Sequence, residues 1–409
     1  MDKISCLTDR QTDRQTDRQT DRQTDRQTDR QTDRKKDRQR NSSLELLRIL
    51  AMLIIIAHHF GLHGIIRPYN TSIQVLSAGE FSWQVFFTQM VCWGGGMGNA
   101  IFILITGYFM VSSSVHWKKI AVLLVTMLFY SWLIELIVYG GGLLPFSVRS
   151  VFQQTFPILF GSNWFVSCYI IFSFFIPFIN RFLLNLEKNK YQCFLLLFFA
   201  FFEVFPDLEF NTFFSDAPIM FFFLIYSCGA YIKLYGEKIL SPSYHKRYLL
   251  IFIILLMLLW GSILFFDAIG LIFHKDSMIK GAFHLFLILQ IPMAMSLFLY
   301  FLTKPRFYNA CINKIAGTIL GIYLIHDNDL MRIIIWNDIL PNLDYIHSSW
   351  YILFYAGKVA AVFVFCSVIE YLRKRYLSSL FLSCVNLCDA MFRKGRKYTD
   401  IFLRISNRI

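Results

Sequence analysis

Residues 44–59 read LELLRILAMLIIIAHH, with twelve of sixteen positions apolar. Continued through Leu62 the run reaches the ~20 residues a helix needs to cross the hydrocarbon core of a bilayer. A helix that is apolar all round is buried either in a large soluble core or in lipid, and composition decides between the two. Of 409 residues, 56% are hydrophobic, 18% aromatic and only 16% charged, with a mean hydropathy of +0.49. The first forty positions hold much of that charge, so the other 369 carry 28 basic and 18 acidic residues. A soluble globule of this size would have too few polar side chains to cover its surface. The chain therefore reads as an all-α polytopic membrane protein, and its net charge of +13 as topology rather than nucleic-acid affinity.

Nine further stretches of spanning length fall at roughly 96–114, 119–139, 164–181, 191–206, 217–235, 248–267, 280–302, 315–335 and 351–371, giving about ten transmembrane helices. With the N-terminus inside, the inner loops carry twelve Lys and Arg, Lys118 and Lys119 among them, and the outer loops four. This bias puts both termini in the cytoplasm, and an outer loop with Asp207, Glu209, Asp216 and no base agrees. The chain divides into a tail at 1–40, a membrane domain at 41–372 and a basic cytoplasmic tail at 373–409. Residues 8–34 repeat TDRQ six times and end in TDR; with no apolar residue the tract cannot bury a core and is expected to be disordered. Asp-Arg-Gln-Thr can be encoded by a repeated tetranucleotide, GACA, so the tract reads as a slippage-prone, phase-variable switch in the coding DNA. Nine scattered cysteines show neither a disulfide framework nor a metal spacing, and no metal is expected. Cys384 and Cys388 lie one helical turn apart on an amphipathic segment.

Ionisable groups inside membrane helices are costly and usually functional. Arg48 and His59 are eleven residues apart, three turns plus about 20° of helix, so they share a face at an axial separation of about 16 Å. His58 is turned about 100° away and reads as a hydrogen-bonded packing residue, and Glu45 is spaced to pair with Arg48. Two readings stand for each group: Arg48 as a snorkelling anchor or an anion-binding group, His59 as a packed imidazole with a partner or a chemical base. His326, followed by Asp327, Asn328 and Asp329, marks either a hydrated cavity or the outer end of a helix. In the second span a flexible Gly94-Gly95-Gly96 entry leads to IFILITGYFM, where Gly107 permits close backbone approach. Lys118 and Lys119 suit either an inner membrane border or an anionic ligand in the cytosol, and Asn163-Trp164 opens the fourth span at an interface.

Four of these elements together resemble the type 3 family of integral-membrane acyltransferases, which O-acetylate bacterial surface polysaccharides: Arg48 with ten residues before His59, IFILITGYFM from Ile101, NWFVSCYII from Asn163, and GIYLIHDN from Gly321. The resemblance covers 41–372. The ELLRI start, the double histidine and YLIHDN look most like enzymes encoded with capsule or exopolysaccharide genes. It implies transfer of an acyl group, acetyl by expectation, from cytoplasmic acetyl-coenzyme A to a hydroxyl of a surface glycan or its lipid-linked precursor, in the inner (plasma) membrane and without nucleic acid. By the same resemblance His59 is general base or transient acyl carrier, His326 a second base or the group orienting His59, and Arg48 the grip on the coenzyme's phosphates. Many members carry Arg-x-x-Arg after the second span, where this chain has Trp117-Lys118-Lys119; lysine neutralises a phosphate but lacks the bidentate fork. A flippase for a lipid-linked sugar, or a polysaccharide polymerase, is the competing class. Neither explains the one-face Arg and His register, and no pair of similar halves typical of transporters is evident.

Overall fold

The computed structural model describes residues 41–67, 75–207, 217–281 and 285–406. The TDRQ tract and the expected acidic loop residues Glu209 and Asp216 lie outside the described residues. Those described form helices and no strand, the principal ones being α1 Ser42–Gly61, α2 Trp83–Cys92, α3 Gly94–Met110, α4 Trp117–Gly140, α5 Trp164–Leu184, α6 Lys188–Phe199, α7 Pro218–Tyr235, α8 His245–Ile272, α9 Leu285–Thr303, α10 Ala310–Ala316, α11 Ile319–His326, α12 Asp329–Ile333, α13 Tyr351–Tyr376 and α14 Ser378–Ser406, with shorter helices such as Val148–Thr155 and Asp276–Gly281 between them. Sequence sets the ends. Asn41 caps α1 through the Ser43 amide at 3.1 Å, the short-polar N-cap that satisfies an orphan helical donor.

Seven stretches are long and apolar enough to cross a membrane: Ser42–Ile66, Trp83–Met110, Trp117–Gly140, Trp164–Leu184, Pro218–Tyr235, Pro242–Ile272 and Tyr351–Tyr376. In the most apolar of them, which contains α8, 11% of the window is buried within the protein, the distribution expected of a lipid-facing helix rather than a soluble one. The other three expected spans take different forms. The region 191–206 is α6 continued by a π turn at Ala200–Val204 and a last turn at Phe205–Asp207. Of the region 280–302, residues 285–302 belong to α9. The region 315–335, expected as one helix, is broken into α10, α11 and α12. Its second break has a local cause: Asn328 caps α12 by accepting from the Leu330 amide at 3.0 Å, and also reaches Gln154 Oε1 at 3.1 Å.

Helix α1 is the spine. Its Met52, Ile55, Ile56 and Phe60 enter a core with α4, α11 and α13, while Leu44, Leu47 and Ala51 enter a second core with α3, α7 and α9. The triple glycine is not a flexible entry but the start of α3. A Cβ at Gly94 would stand 2.1 Å from Ile54 Cγ2, and one at Gly98 2.6 Å from Ile55 Cγ1, so this small-xxx-small face lets α3 lie directly against α1. Gly107 does the same against α7, where a Cβ would meet the Tyr226 carbonyl at 2.2 Å, as the sequence anticipates. The helix of the C-terminal tail, α14, packs along α4, with Phe381 on Phe129 and Phe392 near Trp117.

Candidate active site

The break between α11 and α12 brings Asp327 beside α1. His59 Nδ1 lies 3.3 Å from Asp327 Oδ1 and 3.1 Å from His326 Nε2. His326 and Asp327 are completely buried, and His59 is 8% exposed. His326 Nδ1 is 2.6 Å from the Ile322 carbonyl, and a carbonyl only accepts, so this nitrogen carries the proton. In the neutral ring Nε2 of His326 is then an acceptor, and His59 must present Nδ1–H to it and to the carboxylate. That tautomer leaves a lone pair on His59 Nε2. A second partner that fixes ring orientation and tautomer is how proteins prepare a histidine for chemistry, and a carboxylate at Nδ1 stabilises the imidazolium once a proton is taken. Arg332, 2.8 Å from Asp327 and 3.2 Å from Asp329, offsets the charge of the buried acid.

His58 lines the same cavity but has a different partner. Its Nδ1 is engaged by the Cys92 carbonyl, which satisfies the ring by packing. Arg48 pairs with Glu45 at 2.6 Å, as the spacing anticipates. His59, His63 and Asp327 offer atoms all within 4.8 Å of one another, a set able to hold a metal. Arg332, however, already supplies the cation at that carboxylate.

Three neighbouring cavities share walls. The histidine cavity, about 560 Å³, is lined by His58, His59, His63, Asp327, Arg332 and also by Trp164, Glu203, Phe221 and Gln290. Gln290 Nε2 donates to Glu203 Oε2 at 3.2 Å, so a carboxylate, an amide and two aromatic rings share the cavity wall with the imidazoles. A second cavity of about 220 Å³ is lined by Arg48, Met52, Ile55, Thr106, Leu123, Phe165 and Tyr169. A third, about 360 Å³, is lined by His116, Lys119, Leu123 and Tyr169 among others. Asn99 and Tyr323 belong to the walls of both the first and the second cavity, and Leu123 and Tyr169 to those of the second and third. The helical arithmetic that puts Arg48 and His59 on one face thus corresponds to one on each side of the Asn99–Tyr323 waist. Lys119 is exposed at the far end; Lys118, also exposed, is not among the residues lining that cavity.

A family model described as an acyltransferase domain, that of the acyltransferase 3 family, matches residues 41–385. The chain belongs to the acyltransferase 3 family. No curated protein and no solved structure matches it. As an acyltransferase 3 protein it is a membrane acyltransferase, and the matched region takes in every residue of the histidine cluster and of the three cavities. Sequence reasoning singles out His59, His326 and Arg48, but not Asn99, Glu203, Gln290 or Arg332. Each of the first three of these missed residues is a lone polar residue inside an apolar run, which is the signal that would have found it. Arg332 carries the same signal, a lone ionisable residue in the apolar run Leu330–Ile335, and its spacing to Asp327 adds to it.

Proposed function

We propose that the protein is an O-acetyltransferase of the inner membrane. It takes acetyl-coenzyme A from the cytoplasmic side and acetylates a hydroxyl of a surface polysaccharide or its lipid-linked precursor, both termini being cytoplasmic. The observation that carries the reading is the set of wall-sharing cavities from Lys119 past Arg48 to His59. Lys119 and Arg48 supply cations for the phosphates of the donor. The narrow middle cavity suits the pantetheine arm, and the wide histidine cavity, with its aromatic and hydrogen-bonding wall, suits a sugar. The ~16 Å of α1 between Arg48 and His59 is comparable to the arm that separates the thioester of coenzyme A from its phosphates.

In this mechanism His59 Nε2 accepts the proton of the sugar hydroxyl as the hydroxyl oxygen bonds to the thioester carbon. The carbonyl π pair moves onto oxygen. As it returns, the C–S bond breaks, and the coenzyme thiolate takes the proton back from His59. His326 and Asp327 keep Nδ1–H in place throughout, and Lys118 adds only to the positive field at the donor entrance. Two measurements test this. Purified protein supplied with acetyl-coenzyme A should release free coenzyme slowly, by water in place of sugar. Surface glycan from expressing and deletion strains should differ in mass by one acetyl group per modified residue. Absence of donor turnover together with identical glycans would overturn the proposal and favour the flippase.

A further inference from the structure

Acyl transfer places negative charge on the thioester carbonyl oxygen, and an aligned donor there commonly supplies a large share of the rate. Several groups of the histidine cluster are otherwise engaged. His59 presents a lone pair, and Arg332 is committed to Asp327 and Asp329. His58 is held by Cys92 and Gln290 by Glu203. At the waist itself stand Tyr323, whose buried hydroxyl makes no hydrogen bond among the described residues but has the Asp327 carboxylate near it as an acceptor, and Asn99. Asn99 is 9% exposed, and its buried Oδ1 has no hydrogen-bond partner among the described residues.

The enclosed, unpartnered atom of Asn99 is the acceptor Oδ1, whereas Nδ2 is not among the enclosed unpartnered atoms; since the side chain lines two cavities, the N–H₂ end is the one left to face them. Its height is set by the α1–α3 contact. Gly98, next to it, packs on Ile55 and Ala51, and Gly95 on His58. Asn99 therefore lies about one turn of α1 to the Arg48 side of His59, where a thioester reaching up the donor cavity would end. We infer that Asn99 is the oxyanion donor of the reaction: its Nδ2–H₂ turns to the thioester carbonyl oxygen and bonds it most strongly when that oxygen carries the π pair. The inference rests on the acetyltransferase reading and adds a catalytic residue to it. The bond-making is that described above, with no change in proton count. The sugar oxygen bonds to carbon, the π pair resides on an oxygen held by Asn99, and it returns as the C–S pair leaves with sulfur.

The test uses full-length purified protein, following coenzyme A release from acetyl-coenzyme A and binding of a trifluoromethyl ketone analogue of the donor, whose hydrate mimics the tetrahedral oxyanion. For Asn99→Ala, kcat should fall about a hundred- to a thousandfold, while KM stays within about threefold. Analogue affinity should fall by a factor similar to that in kcat, because a transition-state contact is absent in the ground state. Asn99→Asp, isosteric but with acceptor oxygens only, should lose at least as much, and it serves as the measurement if the alanine variant folds poorly. Unchanged kcat, or a loss confined to KM, would overturn the assignment. If wild-type protein releases no coenzyme A, the acetyltransferase reading itself fails; if wild type turns over and Asn99→Ala and Asn99→Asp do so equally, only the role of Asn99 falls.

Discussion

Asp327 and Glu370 are both buried carboxylates in the same helical assembly, and each is held by an arginine a few residues further along the chain, Arg332 and Arg373. Around Glu370 the shell is closed. Tyr130 donates to Oε2 at 2.7 Å, Arg373 donates to both oxygens at 2.6 and 2.7 Å, and Lys374 Nζ lies 3.5 Å from Oε1. Phe381 covers the guanidinium at 3.9 Å. Around Asp327 the shell is open: its carboxylate is shared between Arg332 and His59, and both of those line a cavity of about 560 Å³. The chemical inventory is nearly the same. A closed cluster ties α13 to α4 and α14, whereas an open one keeps an imidazole nitrogen turned toward space a substrate can fill. Burial of an acid within a membrane helix is thus a poor guide to function until its shell has been counted.

The contrast is breakable. Its largest expected effect is on His59: His59→Ala should lower glycan acetylation by about a hundred- to ten-thousandfold, the range for a lost general base, at normal protein level. Measured by mass spectrometry of surface glycan and by immunoblot, wild-type acetylation in this variant would remove the open cluster from the chemistry. Arg48→Lys comes next. It keeps the charge but loses the planar fork, and charged hydrogen bonds are worth about 1.5–3 kcal/mol, so the apparent acetyl-coenzyme A constant should rise roughly ten- to a hundredfold. A snorkelling anchor would tolerate lysine with no change in donor dependence.

Glu370→Gln sharpens the other side. Removing one partner of a closed, buried ion pair costs about 3–5 kcal/mol, so a lowered melting temperature in detergent is expected, with kcat per folded molecule preserved. Loss of kcat at unchanged melting temperature would show that the closed cluster takes part in turnover. The smallest effect belongs to His58→Ala. It removes a ring satisfied by the Cys92 carbonyl, and a drop of only a few-fold is expected; loss equal to that of His59→Ala would mean that both rings serve one role.

Features that depend on local periodicity are legible in the sequence. The Arg48–His59 face, the Glu45 pair and the close approach at Gly107 all follow from helical spacing, whereas His58, turned about 100° from His59 by that spacing, still reaches the wall of the same cavity. What escapes depends on tertiary placement. Glu370 finds Tyr130 from 240 positions away, and nothing within VFCSVIEYL indicates that partner. The ninth span reads as one helix on the strength of its apolar flanks, Ile315–Ile325 and Leu330–Ile335, although the polar run His326–Asp329 between them is the visible trace of the break at which Asn328 caps a new helix. The glycines at 94–98 read as freedom because glycine permits it; against Ile54 and Ile55 they serve instead as clearance.

The waist at Asn99 and Tyr323 has a consequence for steady-state kinetics. If the donor fills the space below it and the sugar the space above, neither substrate occupies the other's ground. Double-reciprocal plots should then intersect, as in a ternary-complex mechanism. Free coenzyme A should compete with acetyl-coenzyme A but not with the sugar. Each product would leave on the side from which its precursor came, so acetylation would proceed across the bilayer while coenzyme A never traverses it, driven by the thioester alone and indifferent to any ion gradient.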